Sequence, residues 1–161
     1  MVAKIRIFLD TSAIFAGIWS DRGGSRMLLR LGEAEAIALV TSRFALQELE
    51  GALRAQAPEV LGTLALLLDR AQFTIVGPPD KDQLGLTSRL VDHPGDANIL
   101  GSALGGQVEF FVTLDQKHFL ANDRLAAGLP FELGTPGECL DWLRRRLRVG
   151  QRGNISVREG L

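Results

Sequence analysis

The feature that most restricts this chain is a series of short, almost wholly apolar runs at residues 5–9, 36–41, 73–76, 109–113 and 130–133, separated by longer stretches of helical periodicity. Runs this short, without strict in–out alternation, suit strands covered on both faces, the usual situation in a parallel sheet. Parallel strands need crossover connections, and the intervening helical stretches supply them. The pattern predicts an α/β fold: an α/β/α sandwich around a mainly parallel, approximately five-stranded sheet. With 161 residues and 46% hydrophobic composition, the chain can build one core of ordinary size.

Residues 12–31 are amphipathic, but Gly17, Gly23 and Gly24 weigh against one uninterrupted helix. Further helices are expected over residues 42–54 and 59–70, and Gly77-Pro78-Pro79 stops the third strand. His93-Pro94-Gly95-Asp96 reads as a helix start, with Pro94 at the first helical position and Asp96 in the positive first turn. Thr135-Pro136-Gly137-Glu138 has the spacing of an N-terminal capping box. In the helix that follows, Leu140, Leu143 and Leu147 are expected to pack inward, Arg144, Arg145, Arg146 and Arg148 to face outward, and Trp142 to lie between. The folded domain is expected over residues 1–149, followed by a basic tail at 150–161 with weaker core periodicity. There is no internal repeat and no convincing second-domain boundary.

No stretch approaches the roughly 20 continuous apolar residues that span a bilayer. Lys4 and Arg6 interrupt the first apolar run, so it lacks a secretory profile, and a cytoplasmic location without membrane contact is expected. Cys139 is alone, which excludes an intrachain disulfide or a cysteine-based zinc site; His93 and His118 have no ligand-pair spacing. Any metal chemistry is therefore expected to be all-oxygen. The formal net charge is −1, but residues 144–161 hold six Arg and one Glu, leaving 12 basic and 18 acidic residues in 1–143. That basic end suits nucleic acid, an acidic partner or solvent, and net charge alone does not choose among them.

The chemistry concentrates on four acids. Asp10 ends the first strand, Asp115 follows the fourth, Asp96 opens the helix before that strand, and Glu48 lies about two turns into the helix after strand two. Open parallel sheets bind ligands beyond the carboxyl ends of their strands, where strand order reverses, so distant acids can converge there. Carboxylates gathered in one cleft repel unless protons or cations neutralise them. Mg²⁺ or Mn²⁺ suits such an oxygen cluster and can activate water, polarise a phosphodiester and stabilise the leaving oxygen. Asp10, Asp96 and Asp115 are the expected direct ligands, with Glu48 holding a second ion or positioning water. Ser12 and Thr113 are expected to support the ligands by hydrogen bonds, and Asp92 to assist from outside them. Arg22, Arg26, Arg43 and Lys117 are candidates for substrate phosphates.

Plainer roles compete at every position. Asp10 and Asp115 suit helix caps, Asp96 a helix dipole, Glu48 an exposed helix face, and Asp92 a solvated loop. A strand-end Asp also serves as nucleophile in phosphoryl-transfer enzymes that pass through an aspartyl phosphate. Neither G-x-G-x-x-G nor G-x-x-x-x-G-K-[ST] occurs, which argues against a nucleotide site.

Taken together, Phe8-Leu9-Asp10-Thr11-Ser12, Gln47-Glu48-Leu49, Asp92-His93-Pro94-Gly95-Asp96-Ala97-Asn98-Ile99-Leu100 and Val112-Thr113-Leu114-Asp115 resemble the PIN-domain nuclease family, over roughly residues 4–142. The resemblance implies an α/β/α fold and divalent-metal-dependent hydrolysis of RNA phosphodiester bonds, with Asp10, Glu48, Asp96 and Asp115 as the acidic site and Ser12 and Thr113 as supporting residues. The chain is similar in size to the small bacterial toxin ribonucleases of that family, which implies a cognate antitoxin and a homodimer as partners. The Arg-rich end is not a family signature. A catalytically inactive RNA- or protein-binding relative is the alternative that the resemblance leaves open.

Overall fold

A computed structural model describes residues 3–158, with side chains as far as residue 149. The sheet contains β1 (Arg6–Leu9), β2 (Ala38–Ser42), β3 (Thr74–Val76), β4 (Phe110–Val112) and β5 (Glu132–Gly134). All neighbours are parallel, in the order β3-β2-β1-β4-β5. The chain moves outward from β1 through β2 to β3 and then crosses back to pair β4 with the other side of β1. The order therefore reverses between β1 and β4, and the crevice beyond their carboxyl ends is the natural ligand position.

The three inner strands β1, β2 and β4 are buried on both faces, as their composition predicts, whereas the edge strands β3 and β5 are partly exposed. Ile7, Leu9, Phe110 and Val112 join one core with α1 (Thr11–Trp19), α2 (Gly24–Glu33), α4 (Leu61–Arg70) and α8 (Pro136–Arg158). Phe8, Val40 and Phe111 face the opposite core, with α6 (Pro94–Gly105) and α7 (Asp123–Gly128). Phe8 and Phe111 stack across neighbouring strands with centroids 5.0 Å apart. α3 (Arg43–Gln56) contributes to both cores, Leu49 and Leu53 to one and Ala45 to the other.

The amphipathic stretch at 12–31 is two helices, α1 and α2, broken at Ser20–Gly23. Arg26 reaches back across that break towards Ser20 O and Ile18 O, at 3.4 and 3.5 Å. Gly17 lets the two helices touch, since a Cβ there would lie 2.7 Å from Leu29 Cδ1. A 3₁₀ turn at Pro58–Val60 precedes α4. The helix starts at 94 and 136 agree with the sequence: His93 caps α6 with Pro94 behind it, and the Thr135–Glu138 box forms in both directions, at 3.2 and 3.3 Å.

Three features differ from expectation. α5 (Lys81–Ser88) fills a stretch that carried no strong periodicity, held by a capping box between Asp80 and Gln83. A π turn at Gln116–Leu120 follows β4. α8 continues past Val149 as far as Arg158, so the tail proposed from residue 150 is helical over that length; Glu159–Leu161 lie outside the described residues. Within α8, Leu143 is buried, but Leu147, one residue beyond the Arg146 that pairs with Glu109, is 62% exposed. Trp142 packs against Phe110 and receives the Arg146 guanidinium on its face, while Arg146 also pairs with Glu109. Among the described residues, no helix is long and apolar enough to cross a membrane.

Candidate active site

Asp10, Glu48, Asp96 and Asp115 line one open cleft of about 270 Å³ above the β1–β4 reversal. Asp10 comes directly off β1 and is 4% exposed. Its Oδ1 accepts the Thr11 amide at 2.7 Å, and its Oδ2 accepts the Thr113 hydroxyl at 2.9 Å, with Ser12 Oγ more distant at 3.5 Å. It thus caps α1, as its residue type allows, without losing its place at the cleft.

Ser12 and Thr113 also strap the exits of β1 and β4 together. The Thr113 hydroxyl accepts the Asp115 amide at 3.1 Å, Ser12 Oγ accepts the Leu114 amide at 3.0 Å, and the two hydroxyls meet at 3.3 Å. This lattice fixes where Asp10 and Asp115 stand relative to each other.

The electrostatics are those of crowded carboxylates. Burial pushes the Asp10 carboxyl up to about 6, against hydrogen bonds from Thr113 and Thr11, with Glu48 and Asp115 adding repulsion. Glu48 and Asp96 are also raised, by burial first; Asp96 repels Glu48 and Asp115 repels Asp96, while His93 relieves both. Asp115 moves the other way. Its partial burial is outweighed by His118, which donates its amide to Oδ1 at 3.0 Å and meets Oδ2 through Nδ1 at 2.8 Å. That contact in turn raises the His118 imidazole above its ordinary value.

Among the described residues, no three His, Cys, Asp or Glu side chains are gathered closely enough to hold an ion directly. The donor set nevertheless fits a hard divalent cation. It is all oxygen, four acids share one cleft, and the most deeply buried has hydrogen-bond donors but no cationic partner. Both oxygens of Asp115 are engaged by residue 118, one by its amide and one by its imidazole, which leaves each oxygen its second lone pair for a cation.

The remaining candidates separate. Asp92 is fully exposed, 4.0 Å from Arg124, and lines a neighbouring cavity rather than the acidic cleft, because Pro94 starts α6 too late to bring residue 92 onto its face. Lys117 lines that same cavity. Arg43, the first residue of α3, lines a different pocket with Phe44 and Pro78. Arg22 does not line the acidic cleft, and Arg26 is occupied at the α1–α2 break. Sequence reasoning gave too little weight to His118 and His93, whose ring centroids lie 6.2 Å apart beside the acids. The signal was present: His93 precedes Pro94 at a helix start, and His118 stands three residues after a strand-end Asp.

The profile of the PIN domain family matches residues 6–117. The chain belongs to the PIN domain family. That span includes all four cleft acids. Among solved structures, the chain is similar to VapBC2 from Rickettsia felis bound to a promoter DNA fragment, at 15% identity and TM-score 0.60, covering 81% of this chain and 98% of that one. It is also similar to PAE2754 from Pyrobaculum aerophilum, at 17% identity and TM-score 0.54, covering 90% of each chain. VapC20 from Mycobacterium tuberculosis, described as a Sarcin-Ricin loop cleaving toxin, aligns at 16% identity and TM-score 0.50, covering 76% of this chain and 95% of that one. Identities this low establish the shared PIN fold. Among curated proteins, none matches the chain.

Proposed function

We propose that this PIN domain is an endoribonuclease that hydrolyses RNA phosphodiester bonds with Mg²⁺ or Mn²⁺ at the acidic cleft. The observation that carries the proposal is the convergence of Asp10, Glu48, Asp96 and Asp115, from four separate elements, on one cleft at the sheet's reversal point. A buried carboxylate such as Asp10, crowded by three further acids, destabilises a fold unless something binds it, and a divalent cation answers that need. Asp10, Asp96 and Asp115, which do not stand close enough to share one ion directly, would hold it in part through its bound water, with Glu48 beside them. When bound, the ion supplies Lewis-acid stabilisation of the charge that builds on the phosphoryl and departing oxygens.

The chain's own residues define the rest. Thr113 and the Thr11 amide fix the Asp10 carboxylate in one rotamer, so its outward lone pairs are aimed before substrate arrives. Glu48, on the exposed side of α3, is set to orient an attacking water by accepting its hydrogen bond. An aspartyl-phosphate route is disfavoured because Asp10, at 4% exposure, is poorly placed for in-line attack on a phosphoryl donor. The toxin-like relatives suggest a toxin role with a cognate antitoxin, one being a VapBC assembly.

The test is cleavage of a mixed-sequence RNA by purified protein with Mg²⁺ or Mn²⁺, beside a chelated control and Asp10→Asn and Asp96→Asn proteins. Cleavage confined to the metal-loaded, unsubstituted protein is expected. Cleavage that survives chelation or either substitution refutes the four-acid mechanism, and RNA binding without scission by folded protein favours the inactive, RNA-binding relative.

A further inference from the structure

Next to the acidic cleft, and sharing Asp96 with it, lies a second open cavity of about 360 Å³. Its walls come from the segment entering α6, the π turn after β4, and the start of α7. Lys117 and Arg124 reach it from two of these, and His93 from the third.

Both cations are free of structural duty. Lys117 makes no ion pair among the described residues, and Arg124 meets only Asp92, at 4.0 Å with both side chains exposed, a contact of little energetic weight. His93 Nδ1 accepts the Gly95 amide at 3.2 Å as the cap of α6, so the neutral ring carries its proton on Nε2 and presents it as a donor. Asn122 is already committed, donating to Leu90 O at 2.9 Å and accepting the Arg124 amide at 3.1 Å. The cavity also carries the carboxylates of Asp92 and Asp96 and the His118 ring, whose Nδ1 is held by Asp115. The N–H donors of Lys117, Arg124 and His93 are those left for an anionic ligand, and the fork of acceptor oxygens on a phosphate suits them.

An acidic cleft repels a polyanionic strand, so a nuclease of this kind needs positive charge close beside its carboxylates. We propose that this cavity seats a backbone phosphate of the RNA strand neighbouring the phosphodiester in the acidic cleft, with Lys117 and Arg124 as its charged anchors and His93 Nε2 as a further donor. The assignment rests on the nuclease reading and adds to it the direction in which the strand leaves the cleft, towards α7. Asp92 lines the same cavity and opposes the phosphate, so it tunes the site downward.

The test is binding of a fluorescein-labelled, mixed-sequence single-stranded RNA in EDTA, followed by anisotropy across a KCl series. The Lys117→Ala/Arg124→Ala protein is compared with wild type and with Arg54→Ala/Arg70→Ala. The latter removes the same charge from the last turns of α3 and α4, at residues that line neither the acidic cleft nor the neighbouring cavity. Each lost phosphate contact to a single strand lowers the slope of log K against log salt by about 0.7. With one phosphate lost, the proposal predicts a slope smaller by about 0.7 for Lys117→Ala/Arg124→Ala and an unchanged slope for the control. In metal-loaded cleavage it predicts a KM raised about tenfold with kcat within about twofold of wild type, the pattern of lost uniform binding. Equal slopes for wild type and Lys117→Ala/Arg124→Ala overturn it, as do equal losses in both double variants. If wild type cleaves RNA and the slope is unmoved, the cavity assignment alone fails; if the slope falls and no metal cleaves, the nuclease reading alone fails.

Discussion

Replacing Asp10 with Asn is expected to stabilise the metal-free protein at neutral pH. Burial lifts this carboxyl from 3.8 to about 6, so above that pH the folded chain holds in its interior a charge that the unfolded chain leaves in water. A rise of about two units corresponds to about 3 kcal/mol. That shift already sets the Thr113 and Thr11 hydrogen bonds against burial, so the expected gain is about 3 kcal/mol. For a chain of this size the gain is about 6–12 °C in Tm. The sign follows from the raised pKa. Below 3.8 both states are protonated and the penalty is absent; it grows as pH climbs towards 6 and is constant above. Urea denaturation in EDTA at pH 7.5 and at pH 4.5 should therefore show the variant more stable at the higher pH, with the gap closing at the lower. Mg²⁺ at pH 7.5 should also narrow the gap, by stabilising wild type alone. An Asn variant no more stable than wild type at pH 7.5, or a gap that ignores pH, refutes the reasoning.

Three further outcomes follow from local geometry. Gln107 sits at φ 53° where α6 turns into β4, so Gln107→Gly should raise stability by about 0.5–1 kcal/mol in urea unfolding; a loss would mean that the side chain contributes more than its backbone strain costs. Gly32→Ala would bring a Cβ to 2.5 Å from Leu39 Cδ1 and 3.0 Å from Ala71 O, a clash expected to cost about 1–3 kcal/mol by the same assay, and a change under about 0.5 kcal/mol would contradict the packing of α2 on the sheet. The Cys139 thiol is pushed up to about 12 by burial, so a disulfide reagent at pH 8 should modify it only as the protein unfolds; prompt stoichiometric reaction of the native protein would contradict its burial.

The sheet and the acidic cleft were legible because each rests on a signal that survives in one dimension. β1 and β4 are apolar on both faces, and the acids stand where those runs stop, so Asp10 and Asp115 could be placed from the pattern alone. Proline made the starts of α6 and α8 readable for the same reason. Helix ends were harder. α2, α4 and α6 turn into their strands through Glu35, Gln72 and Gln107, all at positive φ without the glycine that usually marks such a turn. β5 lies two residues later than expected, at Glu132–Gly134, because its apolar run begins in the loop with Pro130 and Phe131. α5 has almost no amphipathic stripe, and only its capping box announced it.

The basic candidates show what sequence proximity fails to supply. Lys117 and Arg43 each lie close in sequence to a cleft acid or its helix, yet only Lys117 comes beside the acids, because the π turn folds it back over α6 while Arg43 opens α3 towards another pocket. Arg124, from α7, reaches the Lys117 cavity through a helix with no periodic signal of its own. Asp92 stands outside the acidic cleft for a geometric reason: the four-residue spacing to Asp96 counts only within one helix, and Pro94 begins that helix between them.

The most direct measurement is a crystal of the wild-type protein soaked in Mn²⁺ and recorded at the manganese absorption edge. An anomalous peak is expected in the cleft bounded by Asp10, Asp96 and Asp115, and no such peak in the Asp10→Asn protein. A saturated crystal with no peak in that cleft, or an equal peak after Asp10→Asn, would contradict the claim that these acids are gathered to hold a metal.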